Sequence, residues 1–252
     1  MLEDNFAGSI TGNNITCFAH ETIRGHTIAD VHKAALYELV WHRKTNASVT
    51  EDGEKVIEVG PRTYVISDIL KDRFVDFLPY SQKFLDEYTR CLIDGYDDNV
   101  NFEYDYHERL YNYEDYNGPV CCLGINQIDI MIKKLIENTN TRRAVAITWH
   151  PVKDNGKKDV PCLQYIQMVI NNNTLHMNVL FRSNDMLSAF GSNAYALTTL
   201  QKNVTDYISR SINKKLGYGY YNHTVICPHI YYERDAMEYK KVMNYCIEKK
   251  LI

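Results

Sequence analysis

No apolar run in this 252-residue sequence approaches the ~20 residues of a membrane helix. There is no basic excess either: 28 Lys and Arg stand against 32 Asp and Glu, a formal charge of −4. That balance argues against a dedicated nucleic-acid binder, which would show a basic stripe. It leaves room for a nucleotide site, because a few arginines can converge locally. The seven cysteines (17, 91, 121, 122, 162, 227 and 246) are odd in number, irregularly spaced and never C-x-x-C. Neither a disulfide framework nor a zinc site is indicated. The nine histidines show no metal-ligand spacing. G-x-G-x-x-G, the phosphate loop G-x-x-x-x-G-K-[ST], H-E-x-x-H and G-x-S-x-G are all missing. The opening Met1-Leu2-Glu3-Asp4-Asn5 is acidic and polar, unlike a secretory or transit peptide, so the expectation is a cytoplasmic protein with no membrane partner.

What is present is ordinary globular composition, 45% hydrophobic and 24% charged, with no repeat or linker. The expectation is a single domain over 1–252. Helical periodicity with capping signals predicts helices over Thr27–Arg43, Ser81–Ile93 (with Phe84, Leu85, Tyr88 and Leu92 inward), Gln127–Glu137, about Asn193–Asn213, and Asp235–Lys249. Alternation and apolar runs predict strands at Lys55–Glu58, Tyr64–Ile66, Arg143–Trp149 and Tyr218–Tyr232. A hairpin is expected from Cys162–Ile170 and Leu175–Arg182 around Asn171-Asn172-Asn173. The Tyr- and Asp-rich stretch Asn99–Tyr116 and the charged Lys153–Asp159 read as loops, the first with a short strand. Strands and helices do not alternate strictly, so an α+β fold with a mixed sheet fits better than a doubly wound one.

Polar residues cluster at the ends of these apolar strands. Arg142-Arg143 opens one, Pro161-Cys162 the next, and Arg182-Ser183-Asn184-Asp185 closes the third. Guanidinium forks match phosphate oxygens, and a nearby serine can complete the cradle. The plainer alternative for the two arginines is a solvated strand end, and for Cys162 a buried structural thiol. Positive charge beside a thiol favours the thiolate, which makes Cys162 a candidate nucleophile.

Cys162 lies 20 residues after Arg142 and 20 before Arg182, with Asp185 and Asn193 three and eleven residues beyond that arginine. With these motifs in order and register the sequence resembles the thymidylate synthase family, and most resembles its shorter archaeal branch. TRRAVAITW, VPCLQ, FRSNDM, Tyr106-His107-Glu108-Arg109-Leu110 and Cys227-Pro228-His229-Ile230-Tyr231 carry the likeness, which runs well from about Tyr106 to Tyr231. The resemblance implies a mixed sheet layered with helices and a homodimer. It also implies reductive methylation of dUMP to dTMP, with 5,10-methylenetetrahydrofolate or a tetrahydromethanopterin analogue as co-substrate and no metal.

By the same resemblance Cys162 is the nucleophile that adds to C6 of uracil. Arg182 and Ser183 hold the 5′-phosphate, with Arg142 and Arg143 reaching it from the neighbouring subunit. Asn193 reads the uracil edge, where its other chemical role would be a helix N-cap. His229 and Tyr231 bind the sugar 3′-hydroxyl, although Tyr231 by itself reads as a core tyrosine. Asp185 bonds the pterin. Tyr106 helps remove the C5 proton, with Tyr111 as fallback, and Glu87 is the candidate catalytic glutamate, otherwise an exposed helix carboxylate.

The chain departs from the family at Leu163, where many members have histidine, and at Ala189-Phe190-Gly191-Ser192, which replaces G-L-P-F. The N-terminal R-T-G-x-G loop is absent, with Arg24 the nearest stand-in. Two other functions remain open at this point. One is a dUMP hydroxymethylase, in which water replaces hydride; the other is a degenerate member that binds nucleotide or RNA without turnover.

Overall fold

Thr27 starts the first helix by a reciprocal cap: its hydroxyl accepts from the Asp30 N–H, and the Asp30 carboxylate accepts from the Thr27 N–H. The helix, α1 (Ile28–Trp41), buries Ile28, Val31, Ala35 and Leu39 on one stripe. The computed structural model describes residues 21–95, 105–114 and 124–252; expectations for Cys17, Cys121, Cys122 and the two ends (99–104 and 115–116) of the Tyr- and Asp-rich stretch lie outside them.

Within these residues the elements run β1 (Glu21–Gly25), α1, β2 (Ala47–Val49), β3 (Lys55–Glu58), β4 (Arg62–Ile66), α2 (Gln82–Asp94), α3 (Tyr106–Tyr111), α4 (Gln127–Glu137) and β5 (Val145–Ile147). Then follow α5 (Pro151–Asp154), β6 (Leu163–Asn171), β7 (Thr174–Asp185), α6 (Phe190–Ser211), β8 (Gly217–Ile230) and α7 (Ala236–Glu248). All eight strands join one mixed sheet in the order β1-β4-β8-β7-β6-β5, with the β2–β3 hairpin attached to β8. The fold is the expected α+β arrangement.

Register explains the core. Ile166, Val179, His223 and Tyr64 lie side by side across β6, β7, β8 and β4, and all are buried. The next row, Gln167, Asn178, Asn222 and Val65, is only half-buried. Alternation thus sends one face of the sheet into the helical layer and leaves the other partly open. The β6–β7 hairpin turns where predicted: Asn172 and Asn173 both have positive φ (49° and 58°), which asparagine tolerates better than most residues. Parallel pairing of β7 and β8 then requires a crossover, which α6 supplies.

Some expectations are corrected. The Tyr- and Asp-rich loop contains α3, capped when the Asp105 carboxylate accepts from the His107 N–H. The charged loop after β5 contains the short α5, with Pro151 at its first turn. β1 and β2 were not read from the sequence at all. Phe84, expected inside, is 46% exposed. Helix α6 starts at Phe190, so Asn193 lies inside its first turn and is not the N-cap, a position held by Ala189.

Candidate functional site

Cys162 stands one residue before β6, where the chain enters the sheet beside the end of β7. Its carbonyl accepts from the Arg182 N–H at 2.8 Å. The Arg182 side chain folds back over the same segment: Nε donates to the Pro161 carbonyl (3.0 Å), Nη2 to the Val160 carbonyl (2.8 Å) and Nη1 to the Ser183 hydroxyl (3.3 Å). Two of its five N–H groups are thus engaged by the segment that carries the cysteine and one by Ser183, and two remain for a ligand. The Cys162 sulfur is half-buried and lies 3.5 Å from the Ser183 hydroxyl.

Tyr106, the first residue of α3, accepts from the Leu163 N–H at 3.0 Å, which puts its phenol beside the peptide that follows the cysteine. Helix α3 is anchored by a buried pair: Arg109 donates to both Asp154 carboxylate oxygens (2.6 and 3.1 Å) and to the Thr148 carbonyl. Tyr111 stacks on His107 instead, 4.6 Å between centroids, and burial pushes its hydroxyl up to about 12.

Across the strands, register sets Ser183 beside Cys227 and Asp185 beside His229. His229 is buried, and its Nδ1–H donates to the Cys227 carbonyl at 2.9 Å, leaving Nε2 as an acceptor. Tyr231 meets it edge-on at 4.9 Å and is covered on its other side by the Arg234 guanidinium, 3.9 Å from the ring centre. Burial raises the Tyr231 hydroxyl above its ordinary value; Arg234 opposes this, and charge on Asp185 and Cys162 adds to it.

The Asp185 carboxylate is crowded. It accepts from the Leu187 and Ser188 N–H groups, from the Ser188 hydroxyl (2.6 Å) and from Arg234 (2.5 Å). Beside it opens a cleft of about 180 Å³ lined by Pro79, Tyr80, Phe84, Leu187, Ser188, Asp235 and Glu238.

Asn193 is 4% exposed. Its Oδ1 accepts from the Tyr88 hydroxyl at 2.6 Å and its Nδ2 donates to Asn184 Oδ1 at 3.4 Å. An amide has two N–H groups and two lone pairs, so one of each is still available.

The structure therefore brings Cys162, Arg182, Ser183, Tyr106, Asp185, Asn193, His229 and Tyr231 to one end of β6–β8. It does not bring Glu87 there. Glu87 points to solvent and pairs with Arg90 at 2.8 Å, which also holds its carboxyl below the usual range. Helical rotation explains the difference: residues 87 and 88 face different directions, and Tyr88 is the one that turns inward.

Arg142 and Arg143 are also apart. Their guanidinium groups are exposed and have no partner among the described residues. Antiparallel pairing of β5 with β6 sets Val145 beside Gln167, so Arg143 comes level with Val169, roughly 20 Å along the sheet from Cys162. Arg24 lies in β1, the edge strand beyond β4, three strands from β7. Among the described residues no group of three or more His, Cys, Asp or Glu could hold a metal, and no helix is long and apolar enough to cross a membrane.

Sequence reasoning missed Tyr88, Asn184 and Arg234. Tyr88 sat in a helical stripe that reads as core, and Asn184 lay unremarked inside Arg182-Ser183-Asn184-Asp185.

Comparison with known proteins agrees with this geometry. A family model described as thymidylate synthase matches residues 27–244. Proteins named "Putative thymidylate synthase" align over most of the chain. That of Methanocaldococcus jannaschii is 40% identical over 204 residues, covering 79% of this chain and 86% of its own. Those of Methanosarcina barkeri and Methanococcoides burtonii are 32% and 31% identical, each covering 74% of this chain and 81% of their own. The sheet, the residues gathered at its end and these matches lead to one conclusion: the chain belongs to the thymidylate synthase family.

Proposed function

We propose that this protein converts dUMP to dTMP, with a reduced folate or related pterin as co-substrate. The observation that carries the reading is a half-buried cysteine sulfur against the Ser183 hydroxyl, in a strand-end segment held on one side by the Arg182 side chain and on the other by the Tyr106 phenol. C5 of uracil is a poor nucleophile. Addition of the Cys162 thiolate to C6 moves an electron pair through C5 toward O4, and C5 becomes reactive. The free N–H of Asn193 would donate to O4 where that charge gathers, and its free lone pair would accept from N3–H. Two unused N–H groups of Arg182 suit a 5′-phosphate, and Nε2 of His229 suits a donor such as the 3′-hydroxyl, with Tyr231 alongside. Once C5 has taken up the one-carbon unit it would give up its proton, which the Tyr106 phenol stands where it can help accept. The C5–H electron pair would expel the co-substrate's amine nitrogen from the transferred carbon. Hydride delivered to that carbon would then send a pair back through C5, and the C6–S bond breaks with its electrons returned to sulfur.

The co-substrate would supply the one-carbon unit and the hydride. The cleft beside Asp185, with Tyr80, Phe84 and Leu187 in its wall, suits a flat pterin with an aromatic tail, and Asp185 suits a pterin N–H once Arg234 shares it. Arg142 and Arg143 would complete the phosphate cradle from a second copy. Their distance from the Cys162 of their own chain and the half-open sheet face with Tyr165, Leu180 and Val65 both favour a symmetric dimer.

The test is covalent capture. Incubation with 5-fluoro-dUMP and methylenetetrahydrofolate is expected to add one nucleotide and one folate to the intact mass, and Cys162→Ser abolishes the addition. Wild-type protein that forms no adduct with methylenetetrahydrofolate, and none when its tetrahydromethanopterin counterpart replaces it, overturns the reading. Dihydrofolate formed in step with product separates methylation from hydroxymethylation, which forms none.

A further inference from the structure

Asn193 alone cannot tell uracil from cytosine. One orientation of an amide offers N–H to O4 and oxygen to N3–H; turned by 180°, it offers N–H to N3 of cytosine and oxygen to its amino group. Discrimination needs something that fixes the amide.

That something lies behind it in the core. Asn193 Nδ2 donates to Asn184 Oδ1, and Asn184 Nδ2 faces His223 Nε2 at 3.0 Å. His223 Nδ1 faces the Tyr221 hydroxyl at 2.8 Å. On the other side the Tyr88 hydroxyl donates to Asn193 Oδ1. Each amide donates at one end and accepts at the other, so the chain of bonds has a direction, and no member can turn without all turning. Asn184 and His223 are 2% and 0% exposed, so water cannot replace a lost partner cheaply. The imidazole is also held mechanically: it stacks on Phe181 (4.3 Å, 11°) and packs against Phe190 at 4.8 Å.

Resting on the reading of Asn193 as the residue that meets the base, we propose that His223, acting through Asn184, is a positioning residue that locks the Asn193 amide in its uracil-reading orientation. The geometry assigns His223 the tautomer with the proton on Nδ1, donated to Tyr221, and a bare Nε2 that accepts from Asn184. The opposite tautomer would reverse Asn184 and then Asn193, presenting the cytosine pattern. Burial keeps the ring neutral, with its pKa pushed down to about 3, so a second proton does not reach Nε2 near neutrality.

Two measurements test this. Nitrogen-15 spectra of the wild-type imidazoles are expected to show one buried histidine with protonated Nδ1 and bare Nε2 from about pH 5 to pH 8. A His223 signal with the proton on Nε2, or an even mixture, overturns the proposal without any variant. Calorimetric titration with dUMP and with dCMP then reads the preference directly. Wild type is expected to prefer dUMP by on the order of 100-fold. Asn184→Ala and His223→Phe are expected to cut that ratio at least about tenfold, chiefly by admitting dCMP, because a freed amide can turn. His223→Gln, whose amide oxygen can accept in place of Nε2, is expected to keep the ratio within about threefold. Folded Asn184→Ala and His223→Phe proteins with the wild-type ratio overturn the relay alone. Wild-type protein that binds no dUMP overturns the reading of the site as well, and the two failures are therefore distinct.

Discussion

The buried pair Arg109–Asp154 lets the link between packing and the candidate site be tested with numbers. Its side chains are 3% and 1% exposed, and the bidentate contact is supplemented by His150 N–H to Asp154 and by Arg109 to the Thr148 carbonyl. Asp154→Ala leaves a guanidinium uncompensated in the core, and Arg109→Met leaves a carboxylate with one remaining donor. Each is expected to lower stability by about 3–5 kcal/mol. For a chain of this size that is a Tm drop of roughly 6–20 °C. The double variant Arg109→Met/Asp154→Leu removes both charges together, leaving mainly the Thr148 carbonyl without its Arg109 donor. It should therefore recover at least about 3 kcal/mol relative to the sum of the single losses. Urea titrations of the four proteins give the coupling from their midpoints and slopes. The exposed Glu87–Arg90 pair is the control, and removing either partner should leave the urea midpoint close to that of the wild type. Additive losses, or single losses no larger than the control's, would refute the argument that this pair holds α3, and with it Tyr106, against the cysteine.

Two further outcomes are expected. His32 is fully buried and donates from Nε2 to the Met186 carbonyl; burial pushes its pKa down to about 4 from an ordinary 6.5. Unfolding lets it take up a proton, so its contribution is complete above about pH 6.5, falls as the solution is acidified, and is gone below about pH 4, a loss of about 3 kcal/mol. His32→Gln should flatten the stability profile in that window by one proton, and an unchanged slope would contradict the assignment. In the second, Cys162→Ser chains are mixed with chains carrying Arg142→Ala and Arg143→Ala. Each mixed dimer holds one complete site, so activity should return to about a quarter of wild type after random reassociation. No recovery would place those arginines outside a shared site.

Much of the architecture was legible because local chemistry and tertiary packing agree. Thr27 and Asp30 cap α1 as their spacing suggests, and the tandem asparagines turn the hairpin because both positions need positive φ. The strand ends carrying Cys162, Arg182 and Asp185 were legible as polar punctuation in apolar runs. Helix α3 was not, since its Tyr-His-Glu-Arg-Leu-Tyr sequence has weak helical preference and depends on Asp105 and the Arg109–Asp154 anchor. The helical period already turned Tyr88 inward and left Glu87 as an exposed carboxylate; what it could not give was the bond from the Tyr88 hydroxyl to Asn193, 105 residues further along the chain. The relay behind Asn193 joins residues 88, 184, 193, 221 and 223, and no sequence window contains it.

Parallel pairing of β7 with β8 has a further consequence. The two strands finish at the same end of the sheet, where Asp185 and His229 meet, while the link from α6 into β8 (212–216) sits at the opposite end, beside the Asn172-Asn173 turn. Length there can change without moving a reacting atom, since a strand's far end is fixed by its ladder rather than by its entry loop. That link is the natural seam at which this chain can be lengthened, tagged or cut while its chemistry stays intact.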